Sequence, residues 1–279
     1  MARSWPAVFA VAVALWSFLE AGFSCAAEAN SQLSGDKRWA QARKDLAQGK
    51  AGEAKAAFEE LLKQYPNEAD VHLFLGMSLL RLRDPQSAIL AVKRAIAANP
   101  NHVDARTFLA WIELEVRGDV DAAIREYSKV VELHPDLSDA YANLAVALKR
   151  KGELEQAIAS LNKALERKPK FATALNNRGW IYAEQEKWVE ARRDFERALE
   201  IDSSDEGALQ GLAHVLEKER DYAGAQRLLS QLISRSPNFV HWLAWGRIGL
   251  IRYWWLLFLI AIALGLRGRL MKVRTEANG

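Results

Sequence analysis

The chain of 279 residues is half hydrophobic and 26% charged, a globular rather than a disordered composition. Its single cysteine, Cys25, excludes an internal disulfide, a Cys-x-x-Cys redox pair and a multi-cysteine zinc site, and five dispersed histidines form no metal-ligand spacing. The formal net charge of +3 comes from one end: residues 240–279 carry six Lys or Arg against Glu276 alone, whereas 31–239 carry 31 basic and 32 acidic side chains, a balance that argues against a nucleic-acid surface.

The N-terminus has the order of an export signal. Arg3 precedes the apolar stretch 7–19, and the small residues Ser24, Cys25, Ala26 and Ala27 follow. Cleavage after Ala26 or Ala27 would remove residues 1–27 or nearly so. Two alternatives stay open. Cys25 could be acylated as in a lipoprotein, against which Gly22 stands where such signals carry Leu, or 7–23 could remain as an uncleaved anchor. Residues 28–35 read as a linker.

Periodicity governs 36–239. Pro66, Pro100, Pro135 and Pro169 stand 34, 35 and 34 residues apart, and Ser203 and Pro237 continue the step. Twelve residues ahead of these markers comes an alanine: Ala54, Ala88, Ala123, Ala157, Ala191 and Ala225. Eight ahead comes a bulky apolar residue: Phe58, Val92, Tyr127, Leu161, Phe195 and Leu229. Further upstream the sets His72, Leu75, Gly76, Leu79 and Leu175, Arg178, Gly179, Tyr182 share one helical spacing. Small residues such as Gly76, Ala145 and Gly179 allow two helices to approach closely, large ones such as Leu75, Leu79 and Val92 fill the space between, and proline ends the second helix. The spacing predicts six helix–turn–helix units, at 36–68, 69–102, 103–137, 138–171, 172–205 and 206–239, the third one residue long. One hairpin cannot bury its apolar face alone, so neighbouring units must stack.

The pattern resembles the tetratricopeptide repeat (TPR), W-x2-L-G-x2-Y, then A-x3-F, then P. The resemblance implies an all-α, right-handed α-solenoid whose first helices line a concave groove, and it implies that ligands lie in that groove. Carried over by position, the fifth residues of the first helices include Leu73, Thr107 and Asn176, and the ninth include Met77, Trp111, Val146, Trp180 and His214. The twelfth include Leu114 and Lys149, and the sixth supply Asn143 and Asn177, which by resemblance can hydrogen-bond the backbone of an extended peptide and otherwise read as local surface hydrogen bonding. Trp111 and Trp180 read either as anchors for a partner or as interior packing. The second positions Asp70, Asp104 and Asp139 read as helix-dipole partners in the first turn, or as a row that repels acidic ligands. The carboxylate clamp of some TPR domains is rejected, because no lysine stands at a fifth position. No nucleophile elbow, phosphate loop, dinucleotide fingerprint or metal motif is present, so the expectation is a non-enzymatic protein without cofactor or metal.

Residues 240–247 read as a capping or juxtamembrane segment. The run 253–266 has no charge but is 14 residues long. Extended back to Ile248 it gives 19 residues with Arg252 near one end, enough for a transmembrane helix over 248–266. Trp242, Trp245, Trp254 and Trp255 gather at that end as an interfacial belt, and Arg267, Arg269, Lys272 and Arg274 mark 267–279 as a basic cytoplasmic tail. The alternative for this segment is an amphipathic helix capping the last repeat. The whole chain thus reads as an extracytoplasmic scaffold on a bacterial inner membrane that binds a protein or extended peptide. The rival reading is an accessory subunit of a membrane enzyme, contacted mainly through the transmembrane helix.

Overall fold

The computed structural model describes residues 31–253 and Leu256, and every regular element among them is helical. A short helix α1 (Ser31–Gly35) comes first. The helices that follow pair as α2 (Lys37–Ala47) with α3 (Ala51–Gln64), α4 (Ala69–Arg81) with α5 (Pro85–Ala98), and α6 (Val103–Trp111) with α7 (Val120–Leu133). Next come α8 (Ser138–Lys151) with α9 (Leu154–Arg167), α10 (Ala172–Glu184) with α11 (Trp188–Ile201), and α12 (Glu206–Lys218) with α13 (Tyr222–Arg235). Helical backbone resumes over 239–253. The chain divides into two compact units, Met1–Arg167 and Lys168–Gly279. Within each unit, a hairpin's second helix packs on the first helix of the next hairpin.

Each hairpin turn is built on one left-handed residue. Gly49, Gly118 and Gly152 serve at φ +83°, +71° and +86°. In the other turns Arg83, Glu186 and Arg220 adopt φ between 58° and 66°, a conformation that costs a non-glycine residue about 1–2 kcal/mol. The succession Gly49, Arg83, Gly118, Gly152, Glu186, Arg220 repeats the 34- or 35-residue step of the prolines, now in backbone conformation. Just beyond the turn, Asp84, Asp119 and Asp221 accept a hydrogen bond from the amide three residues on and open the second helix.

The extra residue of the third hairpin has a definite location. Elsewhere the turn closes with an amide bonded to the carbonyl five residues back, as in Asp84 to Leu79 and Asp221 to Leu216. In the third hairpin Asp119 reaches back six, to Glu113, and the backbone over Ile112–Arg117 is π-helical. One inserted residue is thus absorbed in a single wide turn.

Close helix approach rests on the small residues. A Cβ on Gly76 would stand 2.6 Å from Val92 Cγ2, so α4 and α5 meet there with no room for a methyl. In the second unit the fully buried Phe195 ring sits between two glycines, with a hypothetical Cβ 2.8 Å away at Gly179 and closer still at Gly211. Residues 31–35, expected as part of a linker, instead form α1, and its Leu33 is fully buried in the apolar core of the first unit.

The terminal helical run starts at an Asn238 cap, whose side chain accepts from the Val240 amide. It packs on the preceding hairpin through buried His241 and Ile248, through Trp245 Nε1 donating to Ser230 Oγ at 3.0 Å, and through Arg247 paired with Glu217 at 2.7 Å. Among the described residues no helix is long and apolar enough to cross a membrane. Most of the expected span over 248–266, the signal over 1–27 and the tail over 267–279 lie outside the described residues.

Candidate ligand-binding surface on the first helices

The predicted groove residues divide by burial. In the first unit Leu73, Met77, Trp111 and Leu114 are buried, and Leu73 and Met77 belong to a continuous apolar core that extends from Leu33 to Ile112. Trp111 stacks parallel to Phe108, with centroids 6.1 Å apart and 5° between planes. Thr107 on α6, and Asn143, Val146 and Lys149 on α8, are half-buried and keep part of their surface in solvent.

The acidic first-turn positions are used locally. His102 Nε2 donates to Asp70 Oδ1 at 3.0 Å, and its Nδ1 accepts from the Ala105 amide at 3.5 Å, capping α6. Burial pushes the Asp104 carboxyl up, and Asp139 is exposed. The three aspartates therefore stand in three environments rather than forming one acidic row.

The first unit also holds an open cavity of about 610 Å³ lined by Pro66, Asn67, His72, Arg94, Ala97 and Ala98. His72 Nε2 donates to the Pro66 carbonyl at 2.8 Å, and burial lowers the pKa of the ring. None of the predicted groove residues lines this cavity.

In the second unit the predicted residues lie on α10. Asn176 turns its amide toward the start of α12, where Nδ2 donates to Asp205 Oδ1 at 3.5 Å and Gly207 leaves room for it. Asn177 and Trp180 are half-buried, and the Asn177 side chain makes no hydrogen bond among the described residues. Trp180 meets Phe195 edge-on at 5.5 Å and stacks on His214 at 6.1 Å, and His214 in turn meets Trp188 edge-on at 5.9 Å. A half-buried aromatic surface therefore runs Trp180–His214–Trp188. Burial, and then the nearby Lys218, lower the His214 pKa, so at neutral pH this surface presents an uncharged ring. Beside it, Arg178 grips Asp194 through Nε at 2.7 Å and Nη2 at 2.8 Å, with the Asp194 side chain only 2% exposed. This pair fixes α10 on α11 and stiffens the platform from which Asn177 and Trp180 project.

Neither the aromatic cluster nor the ion pair was read from the sequence. His214 occupies a ninth position like Trp180, and 34-residue spacing of two flat rings was the available signal. The pairing of Arg178 with Asp194, 16 residues apart across a hairpin, had none. Among the described residues no three His, Cys, Asp or Glu side chains are grouped as metal ligands.

The family model of the tetratricopeptide repeat protein 21 N-terminal ARM repeat matches residues 46–244. The chain belongs to this family. Solved structures of similar architecture include a thermophilic TPR protein of Thermus thermophilus, 24% identical with a TM-score of 0.53 over 65% of this chain and 99% of that one. MamA from Desulfovibrio magneticus is 20% identical with a TM-score of 0.54, over 63% of this chain and 98% of that one. Pseudomonas aeruginosa pilF is 16% identical with a TM-score of 0.64, over 75% of this chain and 94% of that one. At such identities the likeness shows the fold, an all-helical repeat solenoid. No curated protein sequence matches the chain. Helical repeats of this family serve typically as non-enzymatic scaffolds that bind proteins or peptides.

Proposed function

We propose that this protein is a non-enzymatic scaffold of six TPR-type repeats that holds an extended segment of a partner protein against its first helices. The observation that supports this most is the surface on α10 and α12, where the free Asn177 amide lies on the same helix as Trp180, half-buried and stacked on His214. An amide can pair with a peptide backbone without reading its sequence, and a rigid aromatic gives a side chain a place to pack. In the first unit Thr107, Asn143, Val146 and Lys149 offer the same mixture, while Leu73, Met77, Trp111 and Leu114 act beneath it as support.

The signal over 1–27 carries the repeats across a bacterial inner membrane, and the segment 248–266 holds them at its outer face with 267–279 in the cytoplasm. There the scaffold helps to assemble or organise an envelope complex. Two measurements test the proposal. Protease added outside the intact inner membrane should cut the repeats; protected repeats would refute the location. Protein purified from gently solubilised membranes should bring a partner that mass spectrometry identifies, and Asn177→Ala/Trp180→Ala should lose it while remaining folded. A partner retained by the folded variant would place recognition elsewhere.

A further inference from the structure

The terminal helical run presents an apolar face that no described element covers. Its inner side is set by buried His241 and Ile248, with Trp245 and Arg252 bonded to Ser230 and Gln226 of α13. At 100° per residue, Phe239, Trp242, Leu243, Leu250 and Tyr253 fall on the opposite side. They are exposed to 73, 51, 56, 63 and 42%. The second helices of the hairpins look different. Among the described side chains α3, α7, α9 and α13 contribute no exposed large hydrophobic residue, α5 contributes the single Leu90, and α11 contributes Val189 and Ile201 at its two ends, so none of them carries a continuous apolar stripe.

Three features identify the occupant of this face. Its residues are two aromatics with a polar edge, Trp242 and Tyr253, among wholly apolar Phe239, Leu243 and Leu250, the composition of a membrane interface. The face contains no charged residue that would fix a register against a protein partner; the two arginines of the run are turned back to Glu217 and Gln226. It also leads directly into the uncharged stretch 253–266, so the chain beyond the described residues continues the same apolar character. We infer that the face formed by Phe239, Trp242, Leu243, Leu250 and Tyr253 rests on a lipid bilayer surface, so that lipid contact starts at Phe239, 14 residues ahead of the uncharged stretch. This rests on the membrane reading of the tail given above and adds to it. Ile248 and Arg252 belong to the last repeat's packing, so the part of 248–266 that enters the bilayer starts beyond Arg252 rather than at Ile248, and the last hairpin is held against the membrane rather than tethered at a distance.

The test uses the full chain with Cys25→Ala, reconstituted into phosphatidylcholine–phosphatidylglycerol vesicles. A single environment-sensitive fluorophore is attached at Leu243→Cys, Val189→Cys or Ile262→Cys. Lipid bearing a shallow nitroxide should quench the probe at 243 and shift its emission to the blue, leave the probe at 189 on α11 unchanged, and quench the probe at 262. A solvent-like, unquenched probe at 243 beside a quenched probe at 262 overturns the inference and leaves the membrane reading standing. Unquenched probes at both 243 and 262 overturn both. Quenching at 243 equal to that at 189 would mean general adsorption and would also overturn the inference.

Discussion

Helices α4 and α10 occupy the same place in their hairpins, and they put it to different use. Both carry a glycine where the second helix crosses, Gly76 against Val92 and Gly179 against Phe195. Around that shared crossing α4 is apolar, and Leu73, Phe74, Leu75, Met77 and Leu79 are all buried. The corresponding stretch of α10 reads Asn176, Asn177, Arg178 and Trp180, all half-buried. The crossing residues fix how two helices meet. The positions between them decide whether the outer surface becomes core or remains available to a ligand. In this chain the repeat consensus accounts for the first choice and leaves the second open.

The largest expected effect breaks that comparison at the ion pair. Asp194→Ala removes the buried partner of Arg178, and should destabilise the protein by about 3–5 kcal/mol in chemical denaturation. At the matching positions of α4 and α5 stand Leu75 and Ala91, which form no such pair, so truncating Leu75 is a cavity effect only. An unchanged midpoint would show that Asp194 does not hold α10 in place.

A smaller effect tests what the two helices share. Gly76→Ala and Gly179→Ala each force a methyl into a space closed by a neighbouring side chain, and each should cost about 1–3 kcal/mol. Equal losses support a common crossing geometry. A loss at one site alone would mean that the other hairpin can open to accept the methyl.

The smallest effect concerns two histidines. Burial lowers the pKa of His72 on α4 and of His214 against Trp180 below the usual 6.5. In both cases the folded state favours the neutral ring and the unfolded chain binds more protons. Their contribution to stability is complete above pH about 6.5 and is lost as pH falls toward the lowered folded-state values. Thermal melts of His72→Gln and His214→Gln should each show a shallower loss between pH 7 and pH 5 than the parent. For His214→Gln, partner binding should also lose part of its pH dependence; for His72→Gln it should not.

Much of the architecture was legible in the chain. The alanine, bulky residue and proline at fixed offsets are direct consequences of hairpin packing, so an all-helical repeat with close approach at Gly76 and Gly179 could be read from them. The insertion in the third hairpin was visible as a 35-residue step, but its site was not, since only backbone geometry distinguishes a π turn over Ile112–Arg117 from a longer loop. The surface was less legible. Trp111 and Trp180 have the same residue type at the same repeat position, yet one is buried beside Phe108 and the other is half-buried beside His214. That difference is set by residues on the helices around each, which a motif aligned within one repeat does not weigh. The ion pair Arg178–Asp194 and the tie between His102 and Asp70 were hidden for the same reason.

The central claim, that a partner lies along the open positions of the first helices, is tested most directly by photocrosslinking in living cells. A photoreactive amino acid replaces Asn177 on α10 or Val146 on α8, and, for comparison, the exposed Leu90 on α5 or Val189 on α11. The account predicts adducts with one and the same protein from 177 and 146, and none with it from 90 or 189. Adducts from 90 and 189 with 177 and 146 silent would place the partner on the second helices and contradict it.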